Sequence, residues 1–347
     1  MKFLILGNMS DLQSGLYITE SLEAMGHSTV FLDTRRIMHE LGVSPAQEYI
    51  MKELKEMNLV PDVVLVLKGM ELTKSTVEKI KVMFKDAKLV NWFFDAYMEE
   101  AKIWEHATYR KVIPLFDYFI CSLKGVADKL RDVGHDNAYY VDEGCYPPCH
   151  EEQYMNSFQK KKYGTDVAFI GSLGYDIHGN RLTFLDHIAK EGFRLKIWGK
   201  VVGDTKKIPV SIRPYITRIS VINEDHSMVA QSSLINIGID QDSAIDMGHS
   251  ARAYRIMCAG GLYLSTITKG LQKMFKLNKQ HEEITADQEI VVFYDTDDLT
   301  KKIDFLLEHD DIRESIAKNG QKLVKEKHKF SDRLSEMLEI MKVKKNE

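Results

Sequence analysis

Ser250-Ala251-Arg252-Ala253-Tyr254-Arg255-Ile256-Met257-Cys258-Ala259-Gly260-Gly261-Leu262-Tyr263-Leu264 reads as a polar turn opening a short helix, which stops at a double glycine and runs straight into a strand. A helix that feeds at once into an apolar strand is the repeating element of an α/β fold. Arg252 and Arg255 are three apart and share one helical face. Ala251, Tyr254 and Cys258 keep the spacing of a buried stripe. Ser250 is a candidate N-cap, and the backbone N–H groups behind it add partial positive charge to the same region, which suits a phosphate. An ordinary amphipathic helix with solvated arginines is the alternative.

Outward from this segment the alternation continues in both directions. Upstream lie the strand Asp166-Val167-Ala168-Phe169-Ile170-Gly171-Ser172 with its glycine turn, a helix over 180–191, and a strand over 194–199. A short strand over 219–221, a helix near 227–232 and the strand Leu234-Ile235-Asn236-Ile237-Gly238 come next. Downstream are a last strand over 289–294 and helices over 297–307, 311–327 and 331–341. The first half repeats the plan. Its strands are read at 3–7, 29–32, 61–67, 88–95, 118–122 and 138–141, with helices at 15–25, 46–57, 73–84 and 124–133. Glutamine, lysine and glutamate between His150 and Gly164 mark a linker. The pattern therefore predicts two Rossmann-like domains with parallel sheets, facing each other: residues 1–155, residues 156–330, and a C-terminal helix and basic tail over 331–347 packing back toward the first domain.

Composition narrows the function classes. A chain of 347 residues exceeds the usual size of one core, so two domains are expected. A net charge of -4, with only Lys160-Lys161-Lys162 and the tail from Lys342 as basic runs, argues against a nucleic-acid surface. No stretch approaches the roughly 20 apolar residues of a spanning helix, and Met1-Lys2 leads directly into a strand, which fits a cytoplasmic protein. Four cysteines are too few and scattered for a disulfide scaffold. Cys145, Cys149 and His150 lack a second ligand pair, so no metal is expected.

Parallel sheets place ligand sites after the carboxyl ends of their strands. In the first half these positions are Gly7 to Asp11, Lys68-Gly69, Asp95-Ala96-Tyr97, Ser122 and Asp142 to Gly144; in the second they are Gly171 to Gly174, Gly199-Lys200, Asp240 to Gly248 and Ser265-Thr266. Neither G-x-G-x-x-G nor G-x-x-x-x-G-K-[ST] occurs, which removes the commonest nucleotide fingerprints. Gly171-Ser172 could admit a diphosphate, with Arg181 on the next helix, or could be a plain tight turn. Asp95, after Trp92-Phe93-Phe94, suits a general base or a sugar-hydroxyl partner, and equally an N-cap. Glu143 is a weaker candidate of the same kind, and His27 reads as a helix terminator. No serine or cysteine sits in a nucleophile elbow.

Read in order, Leu89 to Asp95, Phe116 to Ser122, Asp166 to Ser172, Leu195-Lys196-Ile197-Trp198-Gly199 and Arg252 to Gly261 resemble the CgeB-type (spore-maturation) glycosyltransferases, relatives of the group 1, family 4-like enzymes. The resemblance implies a GT-B fold, metal-independent transfer from a nucleoside-diphosphate sugar held mainly by the second domain, an unidentified acceptor held mainly by the first, and retention of anomeric configuration over inversion. It implies that Gly171 and Ser172 lie against the donor diphosphate, that Arg252 neutralises it, and that Gly260-Gly261 let the helix end pack near the nucleotide. No cofactor beyond the donor substrate is implied. The chain departs from the family where a glutamate usually stands at the position of Arg255 and a second acid at Met247. That departure leaves three readings: a different donor, a third phosphate contact in Arg255, or a non-catalytic nucleotide-sugar-binding or partner protein. An epimerase of the same shape is a further alternative.

Overall fold

The apolar runs of the first half form six parallel strands in the order β2-β1-β3-β4-β5-β6: β1 Lys2–Gly7, β2 Ser28–Asp33, β3 Val63–Leu67, β4 Lys88–Phe93, β5 Tyr118–Cys121 and β6 Ala138–Tyr140. The computed structural model describes residues 1–9, 14–95, 111–240 and 246–343. All five residues of β3, Val-Val-Leu-Val-Leu, are buried, as a strand covered on both faces by crossover helices requires. The second half forms five parallel strands in the order β11-β10-β9-β7-β8: β7 Val167–Ile170, β8 Leu195–Trp198, β9 Ile235–Gly238, β10 Tyr263–Thr266 and β11 Val291–Phe293. Both orders reverse direction beside their first strand, so the switch point lies between β1 and β3 in one sheet and between β7 and β9 in the other.

The chain divides into two compact units, Met1–Glu143 with Phe330–Glu347, and Gly144–Lys329. The second unit thus starts before residue 156, because the polar stretch read as a linker is built into it. Helix Pro147–His150 ends in buried Cys149 and His150. Helix Ser157–Tyr163 opens on a capping box between Asn156 and Gln159 and ends in buried Tyr163, with Lys160 to Lys162 on its last turn. Its lysines gave the stretch its polar look; one face packs and the other is solvated.

The last helix, Phe330–Val343, belongs to the first unit. Phe330 sets its ring 5.8 Å from Tyr17 and 6.2 Å from Trp92, and Leu334, Met337 and Met341 are buried. Arg333 Nε donates to the Glu143 carbonyl at 2.9 Å. Residues 219–221 are not a strand. Arg218 (φ +59°) and Asn223 (φ +49°) turn the backbone left-handed on either side, and pairing with β8 is reduced to one bridge, Ile197 with Ile216. Among the described residues no helix is long and apolar enough to cross a membrane.

Candidate functional sites at the two switch points

In the second unit, the turn after β7 and the chain after β9 meet the start of helix Arg252–Cys258. Arg252 lies over the Phe169 ring, 5.4 Å from its centroid, and its Nη2 would stand only 3.0 Å from a side-chain carbon added to Gly171. The Phe169 ring would stand equally close, at 3.0 Å, so the turn at Gly171 is packed between a ring and a guanidinium. Arg181 approaches the same ring at 5.8 Å, donates from Nη1 to the Ser172 carbonyl at 3.0 Å and from Nε to the Ile239 carbonyl at 3.3 Å, and so ties the two loops of the switch point together. Gly171, Ser172, Arg181 and Arg252 form one cluster.

A carboxylate completes that cluster. Asp240 Oδ1 stands 3.5 Å from Arg252 Nη1, with side-chain exposures of 2% and 12%. Its other oxygen accepts the Ser250 N–H at 2.9 Å, and its own N–H donates to Thr266 Oγ1 at 3.0 Å. The sequence marked Asp240 only as a strand-end residue; its role as the partner of Arg252 spans a loop with no periodicity to betray it. Ser250 does not occupy the cap. Ala251 does, in helical geometry, while Ser250 Oγ accepts the Arg252 N–H at 3.2 Å.

Arg255 is placed differently from Arg252. Its charge bears on His150 and His226, whose rings lie 6.2 Å apart. Burial, then Arg255 and Arg252, push the His226 pKa down to about 3; burial, Arg255 and His226 hold His150 well below the usual histidine range. Both imidazoles are neutral at pH 7.

Gly260 and Gly261 stand at the other end of the sheet. They precede β10, whereas Gly171 and Ser172 come after β7 in a parallel neighbourhood. Gly260 (φ +81°) donates to the Met257 carbonyl and Gly261 to that of Ile256, the paired bonds of a left-handed helix stop. A side-chain carbon on Gly261 would come within 2.6 Å of the Ala230 carbonyl. Both glycines serve helix termination and close packing at the edge opposite Gly171 and Ser172.

In the first unit a pocket of about 290 Å³ opens at the β1/β3 switch point. Asp95 lines it and meets Lys68 Nζ at 2.8 Å, the two side chains being 29% and 30% exposed. Lys68 is held left-handed at φ +58° and followed by Gly69 at φ +75°, a backbone that few non-glycine residues adopt. Glu71, 5% exposed, lines the same pocket and accepts from Thr34 Oγ1 at 2.6 Å. Arg35 lies 4.0 Å from its other oxygen. Glu143 accepts from Ser14 Oγ at 3.2 Å, and His27 packs on Phe3, 5.4 Å between ring centroids. Ser10, Asp11, residues 96–110 and residues 241–245 lie outside the described residues. Among the described residues no group of three or more His, Cys, Asp or Glu side chains is arranged to hold a metal ion.

Residues 181–339 match the sequence profile of a family described as glycosyl transferase-like. No curated protein matches the chain by sequence. Among solved structures, HepE from Anabaena in complex with UDP superposes with a TM-score of 0.63 at 12% identity, over 99% of this chain and 100% of that one. The catalytic domain of starch synthase IV from Arabidopsis thaliana, bound to ADP and acarbose, gives 0.63 at 10% identity over 96% and 99%. The S. aureus MnaA–UDP structure gives 0.52 at 12% identity over 92% and 91%. Likeness at such identities concerns architecture. Two parallel-sheet Rossmann-like units in this order are the GT-B fold of glycosyltransferases, and the profile match falls on the second unit and the helix after it.

Proposed function

We propose that this protein is a glycosyltransferase that moves a sugar from a nucleoside-diphosphate sugar to an acceptor, with arginines rather than a metal ion meeting the phosphate charge. The observation that carries the reading is the convergence of Arg181 and Arg252 on the Gly171-Ser172 turn at the switch point of the second unit. A leaving nucleoside diphosphate gains charge as the glycosidic bond breaks, and fixed cations stabilise that charge in the transition state without reorganising. Gly171 and Ser172 let the backbone approach the diphosphate; Arg181 is held by two carbonyls and Arg252 by Asp240. The bound UDP and ADP of the Anabaena and Arabidopsis structures support a nucleotide-sugar donor. In the first unit, Asp95 orients or deprotonates an acceptor hydroxyl, with Lys68 Nζ holding the carboxylate in place at 2.8 Å. The group 1 resemblance favours retention of configuration.

Arg255 supports a second reading, a nucleotide-sugar-binding protein without transfer, since it stands where related enzymes carry an acid and is placed beside two neutral histidines. Donor turnover measured with a panel of UDP- and ADP-sugars, set beside thermal shift by UDP and ADP alone, separates the two. Turnover supports the transferase; stabilisation by nucleotide with no turnover of any donor establishes the binder. Interconversion of the donor sugar with no acceptor present would instead identify an epimerase.

A further inference from the structure

Past the end of β8 the second unit contains a cavity of about 480 Å³ that none of the residues assigned to the donor lines. Its apolar walls are Val201, Ile208 and Ile216, and its charged residues are Lys200, Arg213 and Arg218. Among the described residues no carboxylate lines it, in a chain whose net charge is -4. Arg213 is fixed by backbone oxygens: Nε and Nη2 donate to the Ile208 carbonyl at 3.0 and 2.9 Å, and Nη2 also to that of Lys206 at 3.2 Å. Carbonyls orient a guanidinium without cancelling its charge. Asp204, the nearest acid in sequence, accepts the Lys206 N–H at 2.9 Å as the cap of its own turn. Arg218 sits in the left-handed region at φ +59°, a conformation that costs about 1 kcal/mol or more for a side chain of this kind.

Three cations with no lining acid, set around an aliphatic floor, fit a ligand with an apolar body and an anionic group. We propose that this cavity is a binding site for a phosphorylated small molecule with an aromatic or aliphatic body, distinct from the diphosphate position at Gly171-Ser172. The two positions are mechanically joined. Leu173 N–H donates to the Lys200 carbonyl at 2.9 Å and Val202 N–H to the Leu173 carbonyl at 2.7 Å, so the chain bearing the cavity is bonded to the turn bearing the glycine. The occupant is an independent ligand, because a donor whose diphosphate sits at Gly171 has no phosphate left at its far end for these three cations.

Phenyl phosphate is the probe, titrated by calorimetry into the full-length protein, with inorganic phosphate as the comparison for the apolar contribution. Phenyl phosphate should bind more tightly than inorganic phosphate, and Lys200→Glu and Arg218→Glu should each weaken it about tenfold or more, the scale of one charge-assisted contact. Both side chains are exposed, so thermal melts of the variants should match the unaltered protein. Equal affinity for the two phosphates, or charge reversals without effect on folded protein, would overturn the site. Displacement of phenyl phosphate by UDP would overturn a separate site; simultaneous binding of the two supports it. Neither result depends on turnover, so failure of the transferase reading would leave the site standing.

Discussion

Arg252 Nη1 lies 3.5 Å from Asp240 Oδ1 with both side chains nearly sealed from solvent, so the cation assigned to a phosphate is already paired within its own unit. The same carboxylate holds the Ser250 N–H, and the Asp240 N–H reaches Thr266. Asp240 therefore positions the guanidinium against Gly171 and joins the start of helix Arg252–Cys258 to the carboxyl end of β10. A buried pair of this kind is costly to break from one side only, because the remaining charge stays desolvated.

Arg252→Ala and Asp240→Ala are each expected to destabilise the protein by about 3 kcal/mol, and the double variant by less than the sum of the two. Denaturant unfolding of all four proteins measures the coupling; strictly additive losses would show that the pair does not interact. Arg252→Ala should also weaken UDP binding by ~1–3 kcal/mol in calorimetry, and unchanged affinity would remove Arg252 from the phosphate site.

Asp95→Asn should abolish most transfer while changing stability by less than about 1 kcal/mol, since the Lys68–Asp95 pair is partly solvated. Lys68→Gly should relieve the left-handed backbone at φ +58°, leave stability equal or slightly raised, and reduce transfer through the lost partner of Asp95. Full activity in Asp95→Asn would disprove its catalytic role.

Gly260→Ala and Gly261→Ala should lower the melting temperature without altering UDP affinity of the folded protein. The first forces a side chain onto φ +81°, at about 1–2 kcal/mol. The second drives a carbon to within 2.6 Å of the Ala230 carbonyl, at about 1–3 kcal/mol. A large loss of UDP affinity at unchanged stability would restore the nucleotide contact implied by the family resemblance.

His226 and His150 make stability depend on pH with a definite sign. Their folded-state pKa values are depressed, that of His226 to about 3, so between that value and the unfolded value near 6.5 the unfolded chain binds more protons. Stability should be full above pH 7 and fall as the pH drops through 6, by up to about 1.4 kcal/mol per pH unit for each histidine. Denaturant titrations at pH 7, 6 and 5 should show this slope reduced in His226→Gln. A slope identical to that of the unaltered protein would mean that His226 does not titrate as its burial beside Arg255 requires.

Much of the fold is legible in the chain because buried parallel strands need uninterrupted apolar runs, such as Val63 to Leu67 and Val167 to Ile170, and parallel order confines ligand sites to the loops beyond their carboxyl ends. The same rule picked out Asp95, Gly171 and Asp240 as strand-end positions. It erred at residues 219–221, where apolar alternation is overridden by two left-handed residues, and at the supposed linker, where polarity on one helix face hid burial of Tyr163 on the other.

The amino-acid order alone was enough for the alternation of strands and helices, the absence of the usual glycine-rich nucleotide fingerprints, and the placement of two arginines one turn apart, since periodicity and residue type are local properties. Which charges are neutralised was settled in three dimensions: Arg252 by a carboxylate twelve positions earlier, Lys68 with Asp95, and the cations around the cavity past β8 by no described lining acid. Folding also set the double glycine as a helix stop at the amino edge of the sheet. Electrostatic partners depend on distance through space and on burial, and neither can be read from spacing along the chain.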